Sequence, residues 1–138
     1  MTFAPLTAGC GCGAVRLQIR AEPVSALYCH CTRCQRRTGS GAAATALVQP
    51  GSVVVTAGEE HLRGWTPPDG REKVYCELCG SALLTREPGT GEILGVRLGA
   101  IDGDPGVRPS AHQYVAYAAP WEPVPDDGLP RFDERMPR

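Results

Sequence analysis

Residues 29–40 of the chain read Cys29-His30-Cys31-Thr32-Arg33-Cys34-Gln35-Arg36-Arg37-Thr38-Gly39-Ser40. This segment holds three cysteines within six positions. Such a spacing suits a zinc ion, because the thiolates of a Cys-x-x-Cys turn can reach one tetrahedral metal. Three sulfurs do not complete a tetrahedron, however. Either a fourth ligand comes from elsewhere in the chain, or the fourth position is open to water or a substrate.

The four cysteines outside this segment form two pairs, one near the N-terminus and one that is followed by glycine in the form of a zinc knuckle. The pairs are Cys10 with Cys12 and Cys76 with Cys79. In one partition the two pairs close a four-cysteine site, and the central trio (Cys29, Cys31 and Cys34) holds a second zinc with an open position. In the other, the knuckle joins Cys31 and Cys34 in a zinc ribbon. The first partition is preferred because the second leaves three cysteines unused. A trio closed by His30 or His112 is a further alternative.

The composition indicates one domain in a reducing compartment. The chain has 138 residues and seven cysteines, an odd number that rules out complete disulfide pairing. It shows no signal-peptide pattern and no apolar run long enough for a membrane span, so we expect a cytoplasmic protein without a membrane partner. The formal net charge of −1 offers no general attraction for nucleic acid.

The pattern of apolar residues predicts a mainly β fold of many short strands. Val15, Leu17 and Ile19 alternate with polar residues over 14–20, as in a half-buried strand. One short helix is expected over 32–38, directly after the central cysteines and ended by Gly39. The ordered core is expected over about 8–122, and residues 123–138 are expected to form a proline-rich polar tail. Further strands are predicted at 26–28, 41–48, 53–56, 61–65, 81–85, 93–98 and 113–118.

Three motifs together resemble one known family. They are Gly9-Cys10-Gly11-Cys12-Gly13, Tyr28-Cys29-His30-Cys31-Thr32-Arg33-Cys34 and Tyr75-Cys76-Glu77-Leu78-Cys79-Gly80. The chain is similar to the glutathione-dependent formaldehyde-activating enzymes, also called the GFA or centromere-protein-V domain family. The resemblance implies an Mss4-like zinc-binding β-sheet fold and two zinc ions per chain. It assigns the structural zinc to Cys10, Cys12, Cys76 and Cys79, and the catalytic zinc to Cys29, Cys31 and Cys34.

The resemblance also implies a function, a zinc-dependent carbon–sulfur lyase that acts on a glutathione-type thiol adduct. The reaction would be that of an S-hydroxymethylglutathione synthase, with glutathione as co-substrate and formaldehyde as the activated molecule. The arginines that follow the trio make a local attractor for carboxylates, and Arg33, Arg37 and His112 are the candidate substrate-binding residues. The alternative is a non-catalytic zinc-stabilised module that binds a protein or a thiol metabolite. The two differ in whether the second zinc is exposed and exchangeable.

Overall fold

The mainly β fold expected from the sequence is confirmed by a computed structural model that describes residues 3–137. Its one α-helix in this range, α1 (Thr32–Thr38), follows the central cysteines as predicted. Gly39 ends α1 with a left-handed φ of 66°, and its amide donates to the Gln35 carbonyl. The ten strands are β1 (Leu6–Gly9), β2 (Arg16–Ile19), β3 (Ser25–Cys29), β4 (Ala43–Leu47), β5 (Val53–Ala57), β6 (Leu62–Trp65), β7 (Glu72–Cys76), β8 (Ala82–Arg86), β9 (Ile93–Arg97) and β10 (Pro109–Gln113).

The strands form a small sheet and a large one. The small sheet has three strands in the order β1-β2-β5, and the large sheet has seven in the order β10-β3-β4-β9-β8-β7-β6. Neighbouring strands are antiparallel except β10 and β3, which are parallel. The turn with Cys10 and Cys12 therefore belongs to the small sheet, and the turn with Cys76 and Cys79 belongs to the large one. A metal that joined these turns would join the two sheets.

An apolar core lies between the sheets. Val15, Leu17 and Ile19 are at most 1% exposed, as their alternation predicts. They belong to one buried cluster with large-sheet residues such as Val74 and Leu84. Each fully buried Leu or Ile side chain contributes about 1.5–3 kcal/mol, so this core is the main apolar link between the sheets.

The other face of the large sheet carries α1. A second buried cluster forms there from Leu27, Cys29, Cys34 and Ala43, so the trio belongs to the packing of the helix on the sheet. With seven residues α1 is short, and none of the helices in the described part of the chain is long and apolar enough to cross a membrane.

The strand predicted over 113–118 is wrong beyond its first residue. β10 ends at Gln113, Tyr114 adopts a left-handed φ of 58°, and a short 3-10 helix (Val115–Tyr117) follows. The reason is tertiary, because the Tyr114 amide donates to the carbonyl of Glu134 at 2.9 Å. The chain therefore turns to follow the C-terminal segment. The polar–apolar alternation over 114–118 does not form a strand, because residues 114–116 pair with that segment and leave the sheet.

The C-terminal segment, expected to be a polar tail, runs along the outer edge of β10. The His112 amide donates to the Pro130 carbonyl, and the Phe132 amide donates to the His112 carbonyl, both at 2.9 Å. Arg131 forms a parallel bridge with His112. Although most of this segment is exposed, these hydrogen bonds give it a defined position next to the central strands.

Candidate metal centres and their surroundings

Cys10, Cys12, Cys76 and Cys79 come together where the β1–β2 turn meets the β7–β8 turn. Their four sulfur atoms lie within 4.8 Å of one another. The Cys10 and Cys12 sulfurs are 3.6 Å apart, and the Cys12 and Cys76 sulfurs are 4.0 Å apart. Sulfurs at about 2.3 Å from a tetrahedral zinc are separated by about 3.8 Å. The donor set therefore fits a closed zinc site, with the cysteines grouped as in the first partition.

Ser81 connects the two turns of this four-cysteine cluster. Its hydroxyl accepts a hydrogen bond from the Gly11 amide at 2.9 Å and lies 3.2 Å from the Cys79 sulfur. Hydrogen bonds from the Ser81 hydroxyl and backbone amide lower the pKa of the Cys79 thiol to about 5. Gly80, with a φ of 78°, takes the left-handed turn that aims the following residues back at the sulfur. The turn thus favours the thiolate, which is the form that binds metal.

The trio (Cys29, Cys31 and Cys34) forms where β3 passes into α1. Cys29 ends β3, Cys31 is the N-cap of α1, and Cys34 lies in the first helical turn. Their sulfurs lie within 4.8 Å of one another. The Cys31 sulfur accepts the Cys34 amide at 3.3 Å. One residue therefore both starts the helix and positions a sulfur, so the geometry of the trio is coupled to the start of α1.

Negative charge in the trio concentrates on Cys31. Hydrogen bonds from the Cys29 and Cys34 thiols and from the Cys34 amide hold the pKa of Cys31 far below its usual range. The side-chain contacts of Cys34 with Cys29 and with Cys31 raise the pKa of Cys34, since a thiol that donates to a thiolate keeps its proton. A cation would be needed for all three sulfurs to ionise, which fits a metal bound here.

No fourth ligand completes the trio within residues 3–137. No His, Cys, Asp or Glu atom joins the three sulfurs at ligand distance. The two histidines proposed as closing ligands bond to each other instead, with 2.9 Å between Nε2 of His30 and Nδ1 of His112. The protein therefore supplies three sulfurs at this centre, and the arrangement can leave one tetrahedral position to another molecule.

His112 lies in a buried chain of hydrogen bonds. It is 1% exposed and stacks on Tyr28 with ring centroids 5.0 Å apart. Its Nε2 lies 2.8 Å from the carboxylate of Asp127, and this bond lowers the pKa of Asp127. Nε2 therefore donates to Asp127, and in the neutral ring Nδ1 accepts from His30. Both ring nitrogens are engaged, which argues against the predicted direct contact of His112 with a substrate.

The arginines of α1 face the far half of the large sheet. Arg33 lies 5.9 Å from the Trp65 ring and donates to Asp69 at 2.8 Å. Arg37 lies 5.7 Å from the Tyr75 ring. Together with Arg36 and Trp65, they line a cavity of about 430 Å³. The predicted pair is therefore next to the trio, on one side of α1, as its i, i+4 spacing requires.

The sequence analysis did not identify two cations and one carboxylate of this region. Lys73 and Arg97 lie on the large-sheet face that α1 covers, and Asp127 reaches His112 from the C-terminal segment. In the sequence, Lys73 and Arg97 are polar residues that lie next to apolar residues, Val74 and Val96, which face the core. That signal places them on the opposite face of the sheet, but it does not indicate that the helix covers them.

Comparison with known proteins places these features in a family. A family model described as glutathione-dependent formaldehyde-activating enzyme matches residues 5–117. A Halomonas elongata protein, provisionally named a glutathione-dependent formaldehyde-activating enzyme, is 32% identical over 107 residues, with 72% of this chain and 67% of that protein covered. A crystal structure of a Rhodobacter sphaeroides protein is similar with a TM-score of 0.56 at 23% identity, covering 91% of this chain and 98% of the other. This last likeness concerns the fold alone.

Proposed function

The chain belongs to the glutathione-dependent formaldehyde-activating enzyme family, and from this we propose that it is a zinc-dependent carbon–sulfur lyase for the adduct of formaldehyde with a glutathione-type thiol. The observation that carries the proposal is the trio. It offers three sulfurs without a fourth protein ligand in the described chain, next to a cavity lined by arginines. A closed structural site would have a fourth protein ligand.

The reaction balances without an oxidant or a reductant. In the direction of adduct formation, the thiol sulfur bonds to the carbonyl carbon of formaldehyde, the thiol loses its proton, and the carbonyl oxygen gains one. The reverse reaction breaks the carbon–sulfur bond and releases formaldehyde. The protein therefore needs to hold a thiol and a small carbonyl compound together and to favour the thiolate.

Two zinc ions per chain are part of the proposal, one in the four-cysteine cluster and one in the trio. When bound, the second zinc would keep a substrate thiol deprotonated, which for a thiol of pKa ~8.5 gains at most about 30-fold at pH 7, or about 2 kcal/mol. The larger share of the acceleration must come from positioning, since holding two reactants in place can contribute several kcal/mol more.

Arg33 and Arg37 are the proposed positioning groups for the thiol ligand. Arg33 is held by Asp69 and Trp65, so its guanidinium has a defined place at the cavity. Arg37 has no carboxylate partner in the described chain, and its Nε is buried without a hydrogen bond. Both can hold a carboxylate of the ligand near the trio. His112 is proposed to act through His30, by fixing the segment between Cys29 and Cys31.

The proposed setting is a single cytoplasmic domain whose partner is a small thiol or thiol adduct. The acceleration of exchange between formaldehyde and its glutathione adduct, followed by NMR on the zinc-loaded protein, tests this function. We expect acceleration by the wild type and its loss in Cys34→Ser with the fold retained. Glutathione binding without acceleration would favour the non-catalytic binding module. The absence of binding at millimolar glutathione would reject this thiol.

A further inference from the structure

The large-sheet face beneath α1 carries two cations close to the trio. Lys73 is the cross-strand partner of Trp65, and Arg33 packs on the Trp65 ring. Lys73 also lies two positions before Tyr75, and Arg37 packs on the Tyr75 ring. Arg97 is the cross-strand partner of Thr45 and donates to its hydroxyl. Lys73 pairs with Thr85, and Thr85 pairs with Gly95, so these three residues share one face of the large sheet. Arg97 lies two positions after Gly95 on β9 and therefore lies on the same face.

These cations have no carboxylate to balance them. Within residues 3–137, Arg37, Lys73 and Arg97 take part in none of the ion pairs, and Nε of Arg37 and of Arg97 is buried without a hydrogen bond. Burial lowers the pKa of Lys73 and of Arg37 and the charge of Arg97 lowers it further, whereas the nearby Cys34 opposes the shift of both pKa values. Partly buried like charges without a carboxylate partner are costly, so the site favours an additional anion.

Space for a ligand is present beside Arg97. A cleft of about 530 Å³, within the size range of small-molecule sites, is lined by Arg97 and Thr38, by the Arg16–Asp102 ion pair, by Cys10 and Ser81, and otherwise by glycine and alanine. Ala43, another lining residue, is the cross-strand partner of Cys29. The cleft therefore extends from Cys10 of the four-cysteine cluster to the strand beside Cys29, and its small side chains let a ligand approach the backbone.

We propose that Lys73 and Arg97, together with Arg37, form a carboxylate-binding subsite that makes the trio selective for thiols that carry carboxylates. The inference rests on the proposed function for the binding of the ligand sulfur at the trio, and it adds the residues that recognise the rest of the ligand. Arg33 contributes less charge to this subsite because Asp69 neutralises it. A thiol with two carboxylates suits the remaining positive charge better than a neutral thiol does.

Lys73→Met tests the subsite, with Arg20→Met as a control that removes one exposed cation directly after β2. Glutathione, S-methylglutathione and 2-mercaptoethanol are titrated by calorimetry into the zinc-loaded proteins. We expect Lys73→Met to weaken both glutathione ligands about 10- to 100-fold, as the loss of a charged hydrogen bond does, and to leave 2-mercaptoethanol within about twofold. Arg20→Met should change none of the three.

Equal weakening of all three ligands by Lys73→Met, or no weakening, would overturn the subsite. The subsite would also be overturned if the wild type bound 2-mercaptoethanol as tightly as glutathione. That result would not contradict the binding of a thiol at the trio. In contrast, selective binding of the glutathione ligands without accelerated adduct exchange would keep the subsite and reject the lyase. The two proposals can therefore fail separately.

A second measurement does not depend on a variant that must fold. Lys73 is the only lysine of the chain, so acetylation by an amine reagent can be followed at this residue by peptide mass spectrometry. S-methylglutathione, which has the carboxylates but no free thiol, should slow the acetylation of Lys73 several-fold, whereas 2-mercaptoethanol should not. An unchanged rate in saturating S-methylglutathione would place the carboxylates elsewhere.

Discussion

At the scale of single residues, several side chains serve two purposes at once. Cys31 caps α1 and belongs to the trio, so a change in the start of the helix also moves a sulfur. Arg37 packs on Tyr75, and its buried Nε has no hydrogen-bond partner among residues 3–137. The aromatic contact holds the guanidinium in place, and no carboxylate of the described residues pairs with it, so it can bind a carboxylate of a ligand.

Arg37→Ala is expected to weaken glutathione binding by about 1–3 kcal/mol, the range for a lost charged hydrogen bond. The melting temperature and the zinc content should change little, because the side chain forms no ion pair within the described residues. Calorimetric titration measures the effect, and Arg20→Ala is the matched control. An unchanged dissociation constant, or equal weakening in the control, would exclude Arg37 as a ligand-binding residue.

At the scale of elements, a pair of charged side chains joins two neighbouring strands and lies against a third. Glu72 on β7 accepts two hydrogen bonds from Arg86 on β8, of 2.7 and 3.2 Å. Gly64 on β6 has no side chain, and an added Cβ there would collide with the Glu72 carboxylate. Hydrogen bonds from Arg86 lower the pKa of Glu72. The pair therefore stabilises the sheet edge only while Glu72 is ionised.

Glu72→Gln is expected to lower the free energy of unfolding by roughly 0.5–1 kcal/mol at pH 7. Because the folded pKa of Glu72 lies below its unfolded value of about 4.3, this stabilisation is present above about pH 4.3 and is lost as the pH falls through the folded pKa. Urea unfolding of both proteins from pH 7 to pH 3.5 should show the difference disappear. The exposed Glu92→Gln is the control, and a difference that stays constant with pH would indicate lost packing instead of lost charge.

At the scale of the whole molecule, the two cysteine clusters have different positions relative to the sheets. The four-cysteine cluster joins the small sheet to the large one and brings together residues 64 positions apart. The trio lies within one sheet and its helix, and its members are neighbours in sequence. A metal in the four-cysteine cluster closes a long loop of the chain. A metal in the trio closes only a short segment, so it restricts the unfolded chain much less.

Cys76→Ser and Cys10→Ser are expected to abolish folding, whereas Cys34→Ser leaves a folded domain. Structural zinc can contribute roughly 10–16 kcal/mol in small domains, as much as the stability of a whole domain. Thermal melts followed by circular dichroism, on proteins expressed with zinc, measure the difference. Equal losses in the three variants would contradict separate structural and catalytic roles.

The same division predicts two zinc ions of unequal affinity. During graded chelation, one zinc should leave while the fold persists, because the trio supplies only three protein ligands, and the other should leave with unfolding. Metal analysis alongside circular dichroism follows both steps, and the early step should be missing in Cys34→Ser. A single zinc that leaves only on unfolding would refute the two-site assignment.

The short helix, most of the strands and the two classes of cysteine could be predicted from the sequence, because each rests on a local signal. Alternation marks Val15, Leu17 and Ile19 as a buried strand face, and Cys31 and Cys34 show the spacing that a metal turn requires. These patterns depend on backbone geometry over a few residues. The sequence alone left open the grouping of the cysteines and the ligation by His30 and His112.

Only the tertiary structure decided which distant residues meet. It placed Lys73 and Arg97 beneath α1, Asp127 beside His112, and the C-terminal segment against β10, where it ends the strand that local alternation predicts to continue. Polar residues of a strand show no local pattern that reveals what covers them. Their neighbours are set by the packing of sheets, helix and C-terminal segment, which depends on the whole chain at once.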